Sequence, residues 1–570
     1  MKMSYSTVIK LIEDKSRDHA QKNIFWRKVG DRWSPITWKC FHDDIQKLAY
    51  GLNKLGVKKK EFIAIYARTR YEWELCEKAC FYIGAAVVGI DPRASTDEVA
   101  KIVEAYRIRY LFIENLEMYK RIPQKNGLYP LIMDLQMKAD AVPKSAESCI
   151  NLMSSDLPME SSCSAESTAI IVQTSGTTGE PKAIPYTHSQ LMAACESIAE
   201  HQGDTSDLRT AIGWLPLSNL TAKAVNLYNL YSGIETYFVS DPRKIVEVLQ
   251  EISPDYLLGV PRLFEKIYEG FLIKTQQSPS LGWYFRSVKS LAYIPAVGMP
   301  LAKLFSRPIQ KKLFGKSMKI VLCGSAPLSR KVLTFYQMIG IRILCAYAMS
   351  ENIVPMAMET RKAKKLATVG KPLKANDVTI EEDNELLVRG KGVFKGYLGR
   401  DNLGLYTDEG YYKTGDLGYI DEEGYLTLVG RKENLIKTST GVRISPEQIE
   451  NLYKSSIYIQ DIIVIGNNQK YLTALLTLNS SMVDNWLDKT GIAKDASNKQ
   501  AKINELITAE MGKVNKNLSG LKQVKKYTIL DKSFSEQTGE LSRAMKLRRK
   551  YIMKKYEDKI RGMYDEHYFS

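Results

Sequence analysis

Histidine is scarce in this chain, five in 570 residues, and neither an H-E-x-x-H nor a C-x-x-C appears despite eight cysteines. A zinc site built from nitrogen and sulfur ligands has little to draw on. Only Cys76 and Cys80 lie close together, on a helical pattern, where they read as reduced core residues. Long apolar runs are missing too. The stretch 79–90 is among the longest, short of the ~18 residues of a membrane-spanning helix. The opening MKMSYSTVIKLIEDKSRDHA has no apolar core and no cleavage site, so no secretory signal is expected and the chain reads as cytoplasmic. No G-x-G-x-x-G opens a helix, which leaves a dinucleotide fold unsupported. Acidic residues are in deficit: 64 Asp and Glu face 81 Lys and Arg, a formal charge of +17. That excess favours anionic partners (nucleotides, phosphates, nucleic acid or an acidic membrane) without choosing among them.

A chain of 570 residues exceeds what one hydrophobic core holds, so two or more domains are expected. Composition is that of a globular protein, 44% hydrophobic and 25% charged. The first third alternates helical and strand patterns. Ile45, Leu48, Ala49, Leu52 and Leu55 mark a helix face; 62–66 is an apolar strand, 71–84 helical, 85–90 a strand, 95–106 helical and 110–113 a strand. This alternation predicts layered sheets with helices on both faces. A mainly helical, basic segment follows at 265–318. Within it, 271–316 holds eight Lys or Arg and no Asp or Glu, interleaved with Trp283, Tyr284, Phe285 and Phe305. Peripheral contact with an anionic membrane is one expectation for it; a solvated insert packed by its aromatic face is the other. Past Gly430 come strands at 462–465 and 472–478, then a helical face of Ile503, Leu506, Ile507, Met511, Val514 and Leu518. The predicted division is a large α/β domain of layered sheets and helices over 1–430, a hinge at 431–433, and a smaller α+β domain over 434–570.

The stretch 171–185, IVQTSGTTGEPKAIP, has the hydroxyls, glycines and lysine of a phosphate loop but not the G-x-x-x-x-G-K-[ST] order. Thr174, Ser175, Thr177 and Thr178 bring hydroxyls, and Gly176 and Gly179 let backbone N–H groups approach an anion. Lys182 adds charge at the far end. Alone, such a loop also fits a polar surface hairpin. It is followed in order by WLPLSN (214–219), GSAP (324–327), YAMSEN (347–352), YKTGD (412–416), GRKENLIK (430–437), GVRISP (441–446) and GELSRAMK (539–546). With this ordered set the chain resembles the acyl-adenylate-forming superfamily of acyl-CoA synthetases, adenylation domains and luciferases. Two stretches, GVPRLFEKIY (259–268) and GELSRAMKLRRK (539–550), are most similar to long-chain fatty acyl-CoA synthetases.

The resemblance implies a two-step ligase: a fatty acid and ATP give acyl-AMP and pyrophosphate, then coenzyme A displaces AMP. Two anions must meet in the first step, so cations and N–H donors are needed around the phosphates. By resemblance, the 174–182 loop orients the β- and γ-phosphates, and Thr177 and Glu351 position Mg²⁺. Gly324, Ser325, Ala326, Pro327 and Ser350 border the nucleotide, Tyr347 stacks on adenine, and Asp416 takes the ribose hydroxyls. Arg431 lies on the nucleotide side of the hinge, with Glu433 as its pivot. Gly441 lies along the pantetheine tunnel, and Lys546 bridges the acyl carboxylate and the α-phosphate. The partners implied are a fatty acid, ATP and CoA, or an acyl carrier protein in place of CoA; no nucleic-acid partner is expected, because the charge explains one but the motifs do not.

Each site residue also has a plainer reading. Asp416 follows a glycine, as in many surface turns; Glu351 fits a cap on a following helix; Tyr347 fits ordinary core; Lys546 fits a solvated basic helix. Three positions depart from the pattern. Asn219 stands where histidine is usual, Ala348 where glycine is, and Arg543 where proline is. The competing functions are an acyl-AMP ligase that loads a carrier protein and a non-catalytic, membrane-associated relative. An amino-acid adenylation domain fits less well, because 213–222 holds no Asp for an α-amino group.

Overall fold

A computed structural model describes residues 5–123, 127–135, 143, 146–153, 159–175, 181–324, 328–492, 498–543 and 545–564. Two large sheets form the main body. The first has seven strands in the order Glu147–Ser148, Tyr129–Ile132, Tyr110–Ile113, Phe62–Tyr66, Ala86–Ile90, Thr168–Ser175 and Pro181–Thr187. All neighbours are parallel except the last pair. The second has nine strands, with Ile343–Met349, Ile320–Cys323, Tyr256–Gly259, Thr210–Gly213, Glu235–Phe238 and Asn23–Val29 running parallel through its centre. Strands such as FIAIY and IVLC read as unbroken apolar runs because both faces are covered.

Helix Tyr71–Tyr82 shows what lies between the sheets. It touches strands of both, and every one of its residues is buried. Four are charged, and their burial is sustained by pairing. Lys78 bonds Glu74 at 2.6 Å and Glu77 at 2.5 Å, Lys223 from helix Leu220–Ser232 bonds Glu77, and Asn226 donates to Glu74 at 2.7 Å. Arg70 holds Glu72 at 2.7 Å. Cys76 and Cys80 on this helix are buried free thiols, packed as the sequence pattern implies.

The segment 265–318 is helical: Pro261–Gln277, Pro279–Ala292, Gly298–Phe305 and Arg307–Phe314. Its aromatic residues divide. Phe285 packs against Phe271 and Phe335, whereas Trp283 is 67% exposed and Phe305 50%.

A third sheet, antiparallel, consists of Asn376–Ile380, Glu385–Gly390, Tyr412–Ile420 and Leu426–Arg431. Its strands carry glycines and alternating polar residues, and the apolar patterning does not announce it. The chain leaves it at Arg431 through a short 3-10 turn, Lys432–Asn434. Beyond, Ile459–Ile465, Leu472–Leu478 and Val524–Ile529 form a three-stranded sheet with a core on each side. Strand alternation distributes the residues: Ile462 and Val464 face the core that includes helix Lys499–Asn515, and Ile463 and Ile465 face the other. Leu518 lies past the end of that helix. The architecture is thus a large layered α/β part followed by a smaller α+β part.

Candidate functional site

The glycine- and threonine-rich stretch is carried by an antiparallel hairpin, Thr168–Ser175 with Pro181–Thr187, in which Thr174 pairs with Lys182 and Ser175 with Pro181. Thr187 then caps helix His188–Gln202 in a capping box with Gln190. Gly176, Thr177, Thr178 and Gly179 lie outside the described residues, as do Ser325, Ala326 and Pro327. Gly324 ends strand Ile320–Cys323, with Thr221 Cγ2 3.8 Å from where its Cβ would lie. That places Gly324 beside the start of helix Leu220–Ser232.

Glu351 sits in the turn between Ile343–Met349 and Asn352–Met358. A strand follows it, so it caps no helix. The Phe394 amide donates to its carbonyl at 2.9 Å, and the Tyr397 hydroxyl donates to Oε1 at 2.8 Å. The Lys182 ammonium lies 4.6 Å from the centre of the Tyr397 ring, bringing the hairpin's cation beside this carboxylate. Tyr186 ties the same hairpin to the turn by donating to the Ser350 carbonyl at 2.6 Å.

Asp416 is on strand Tyr412–Ile420 and only 7% exposed, so it is not a surface-turn residue. Register sets it opposite Arg431, whose Nε lies 2.7 Å from Oδ1, and the Tyr347 hydroxyl donates to Oδ2. Burial pushes the Asp416 pKa up, while Arg431 and Tyr347 oppose it. Burial alone would lower the Arg431 pKa, and Asp416 with Tyr347 holds it above the usual value.

Lys546 comes from the far end of the chain, on a loop bridged at Leu541 and Leu547 rather than on a helix. The residue is exposed to solvent. Desolvation nonetheless lowers its pKa, Arg431 adds to this, and Asp416 and Glu351 oppose both. Three cations, Lys182, Arg431 and Lys546, therefore converge on two carboxylates, Glu351 and Asp416. The surplus of one positive charge and the desolvated ammonium both favour an incoming anion. Gly441 has φ of +83° with open space around its Cα, a position a side chain would strain.

Two of the departures have local reasons. Asn219 is the N-cap of helix Leu220–Ser232 and accepts from the Thr221 amide at 2.9 Å. The Ala348 methyl points into solvent. Tyr397 is the site residue that the motifs do not reveal. Its sequence signal is weak: a tyrosine in GYLG, between Gly396 and Gly399, both at positive φ.

The AMP-binding enzyme family matches residues 12–398, and the AMP-binding enzyme C-terminal domain matches 433–568. The chain belongs to the AMP-binding enzyme family. Among its relatives this AMP-binding enzyme is 27% identical to the long-chain-fatty-acid–CoA ligase FadD15 of Mycobacterium bovis, over 99% of this chain and 98% of that protein. It is also 27% identical to the human long-chain-fatty-acid–CoA ligase ACSBG2, over 94% and 89% respectively. Its fold is shared with the adenylation domain of a carboxylate reductase from Mycobacterium chelonae, at a TM-score of 0.78 and 18% identity, over 98% of this chain and 91% of that one. Among the described residues no helix is long and apolar enough to cross a membrane.

Proposed function

We propose that this AMP-binding enzyme is an ATP-dependent fatty acid–CoA ligase. The observation that carries the proposal is the position of Lys546, which comes from the small C-terminal part of the chain and lies near enough to Glu351, Asp416 and Arg431 to feel their charges. In the first step a carboxylate oxygen of the acid attacks the α-phosphorus, and the bond to pyrophosphate breaks. Lys546 stands between the two reacting anions and neutralises charge as the pentavalent phosphorus forms. Asp416, held by Tyr347 and Arg431, receives the ribose hydroxyls; Lys182 and the hairpin loop take the outer phosphates. The Glu351 carboxylate, with Thr177, has the hard oxygen donors that Mg²⁺ requires, and the ion when bound supplies charge neutralisation on the phosphates. In the second step the CoA sulfur attacks the acyl carbon, AMP leaves and the thiol proton is lost. That step requires Lys546 to withdraw by movement of the small domain (434–570) about a hinge at 431–433.

The long-chain acid class rests on the two full-length relatives, both named as long-chain-fatty-acid ligases. A panel of acids in ATP–pyrophosphate exchange tests the reading, with nucleotide products resolved and CoA present or absent. AMP is expected; stoichiometric ADP and phosphate would exclude adenylation.

We further propose that 271–316 rests on anionic membrane. Trp283, Tyr293 and Val297 are 67%, 72% and 54% exposed, on a segment with eight basic and no acidic residues. Each basic side chain near such a surface adds about 1 kcal/mol, so binding should weaken steeply with salt. Flotation with phosphatidylserine liposomes at low salt should carry the protein to the lipid fraction; protein left at the bottom rejects this contact.

A further inference from the structure

Besides the hinge, the loop that bears Lys546 has its own attachment to the large domain. Arg93 and Glu98 follow strand Ala86–Ile90, and both are set in place by local contacts before any partner arrives. Asp91 holds Arg93 through two bonds, to Nε at 3.0 Å and Nη2 at 2.9 Å. Glu98 closes the capping box of helix Thr96–Ala105, accepting from the Ser95 amide at 2.8 Å. The other side of the contact comes from 450 residues further on. Arg543 Nη2 binds the Glu98 carboxylate, Arg93 Nη2 donates to the Arg543 carbonyl at 2.9 Å, and Arg93 Nη1 donates to Glu536 at 2.8 Å.

Arg543 is three residues from Lys546, and its neighbour Ser542 is tied to Lys546 by two hydrogen bonds. The Ser542 amide donates to the Lys546 carbonyl at 2.8 Å, the Lys546 amide donates to Ser542 Oγ at 3.1 Å, and Met545 is held at φ +59°. Fixing Arg543 therefore constrains the main chain that carries Lys546. When Lys546 withdraws, Arg543 must leave with it.

We propose that Arg543, gripped by Glu98 and Arg93, is a positioning residue for the first half-reaction: it latches the Lys546 loop onto the large domain while acyl-AMP forms and releases it for thioester formation. The inference rests on the ligase reading for its chemistry, but the contact stands on geometry alone. It also gives a role to an arginine at a position where the family resemblance leads one to expect proline.

The test uses the full chain with Arg543→Ala, Glu98→Gln and the double variant. Glutamine keeps an oxygen for the Ser95 amide, so helix Thr96–Ala105 retains its cap while the charge is lost. Partly exposed ion pairs contribute modestly, so each single change should slow ATP–pyrophosphate exchange about two- to fivefold. The double variant should be no slower than Arg543→Ala, because both changes remove one interaction. Conversion of supplied acyl-AMP and CoA to acyl-CoA should be unchanged or faster, and Arg543→Lys should recover part of the exchange rate. The penalty should shrink as salt rises. Amide hydrogen exchange across 541–547, which needs no turnover, should be faster in both single variants than in the unaltered protein. Equal loss in both half-reactions, or unchanged amide protection, overturns the latch. Failure of the ligase reading is seen separately, as absence of exchange in the unaltered protein with every acid.

Discussion

Glu351 is held at its carbonyl by the Phe394 amide and at its carboxylate by the Tyr397 hydroxyl. A hydrogen bond to a charged group contributes about 1.5–3 kcal/mol. Tyr397→Phe keeps the ring under Lys182 and removes that bond, together with the one the Tyr397 oxygen accepts from the Tyr412 hydroxyl. Exchange turnover should fall about 10- to 100-fold and the Mg²⁺ concentration for half-maximal rate should rise, with the thermal midpoint nearly unchanged; an unaltered Mg²⁺ requirement would remove Glu351 from the metal's neighbourhood. Lys546→Ala acts at a different point. It should cut acyl-AMP synthesis about 10²–10³-fold yet leave conversion of supplied acyl-AMP intact. Lys550, in the same basic tail, is no bystander, since it pairs with Glu433 at 3.2 Å. Exposed Lys554 is therefore the control, and Lys554→Ala should be mild.

Helix Tyr71–Tyr82 and the helix His188–Gln202 that follows the hairpin show how far elements are legible in the sequence. The first is legible as a helical pattern, read over 71–84 against the 71–82 found, and the start of the second is marked by its local Thr187 cap. Glu351, Asp416 and Lys546, which sit in ordered motifs, are legible too. The buried charges are not: Glu77 finds Lys223 across 146 residues, and no pattern in either segment announces the pairing. Tyr397 is hidden for the same reason, since its role depends on a carboxylate 46 residues earlier.

His188 is the element-scale case with a measurable consequence. It is fully buried, edge-on to Phe81, and neither ring nitrogen has a hydrogen-bond partner among the described residues. Burial, with the Lys78 ammonium adding to it and Glu77 opposing, lowers its pKa from 6.5 to about 4. The unfolded chain thus binds a proton below pH 6.5 that the folded chain refuses until pH 4. Stability from this residue is complete above pH 6.5 and is lost as pH falls towards 4. Between pH 7 and pH 5 the loss should be about 2 kcal/mol. Urea denaturation of His188→Gln at the two pH values should show a dependence shallower by that amount, whatever packing cost the variant carries at both. An unchanged slope would mean that His188 is already protonated in the fold.

At the scale of the whole molecule, the connection between the two parts is short and anchored on both sides. Lys432 reaches back to Asp383 and Glu385 at 2.6 Å each, on the large side, while Glu433 pairs forward with Lys550 on the small side. A pivot is therefore expected between these residues, where the backbone passes from sheet strand to 3-10 turn. Proline at 433, in the first turn of the 3-10 segment, fixes φ there. Glu433→Pro should accordingly hold one domain orientation and lose the other. Because the orientation seen here brings Lys546 to Asp416, acyl-AMP formation is expected to survive while acyl-CoA formation from supplied acyl-AMP falls by about two orders of magnitude or more, as for gated steps that set turnover. Glu433→Ala removes the Lys550 pair without restricting φ and should affect both steps by less than about threefold, the reach of an exposed ion pair. Rapid-quench measurement of each half-reaction separates the outcomes. A proline variant that loses both steps equally, with normal hydrogen exchange in the three-stranded sheet, would place the pivot elsewhere in the chain. Retained adenylation with lost thioester formation would locate the motion at this one bond.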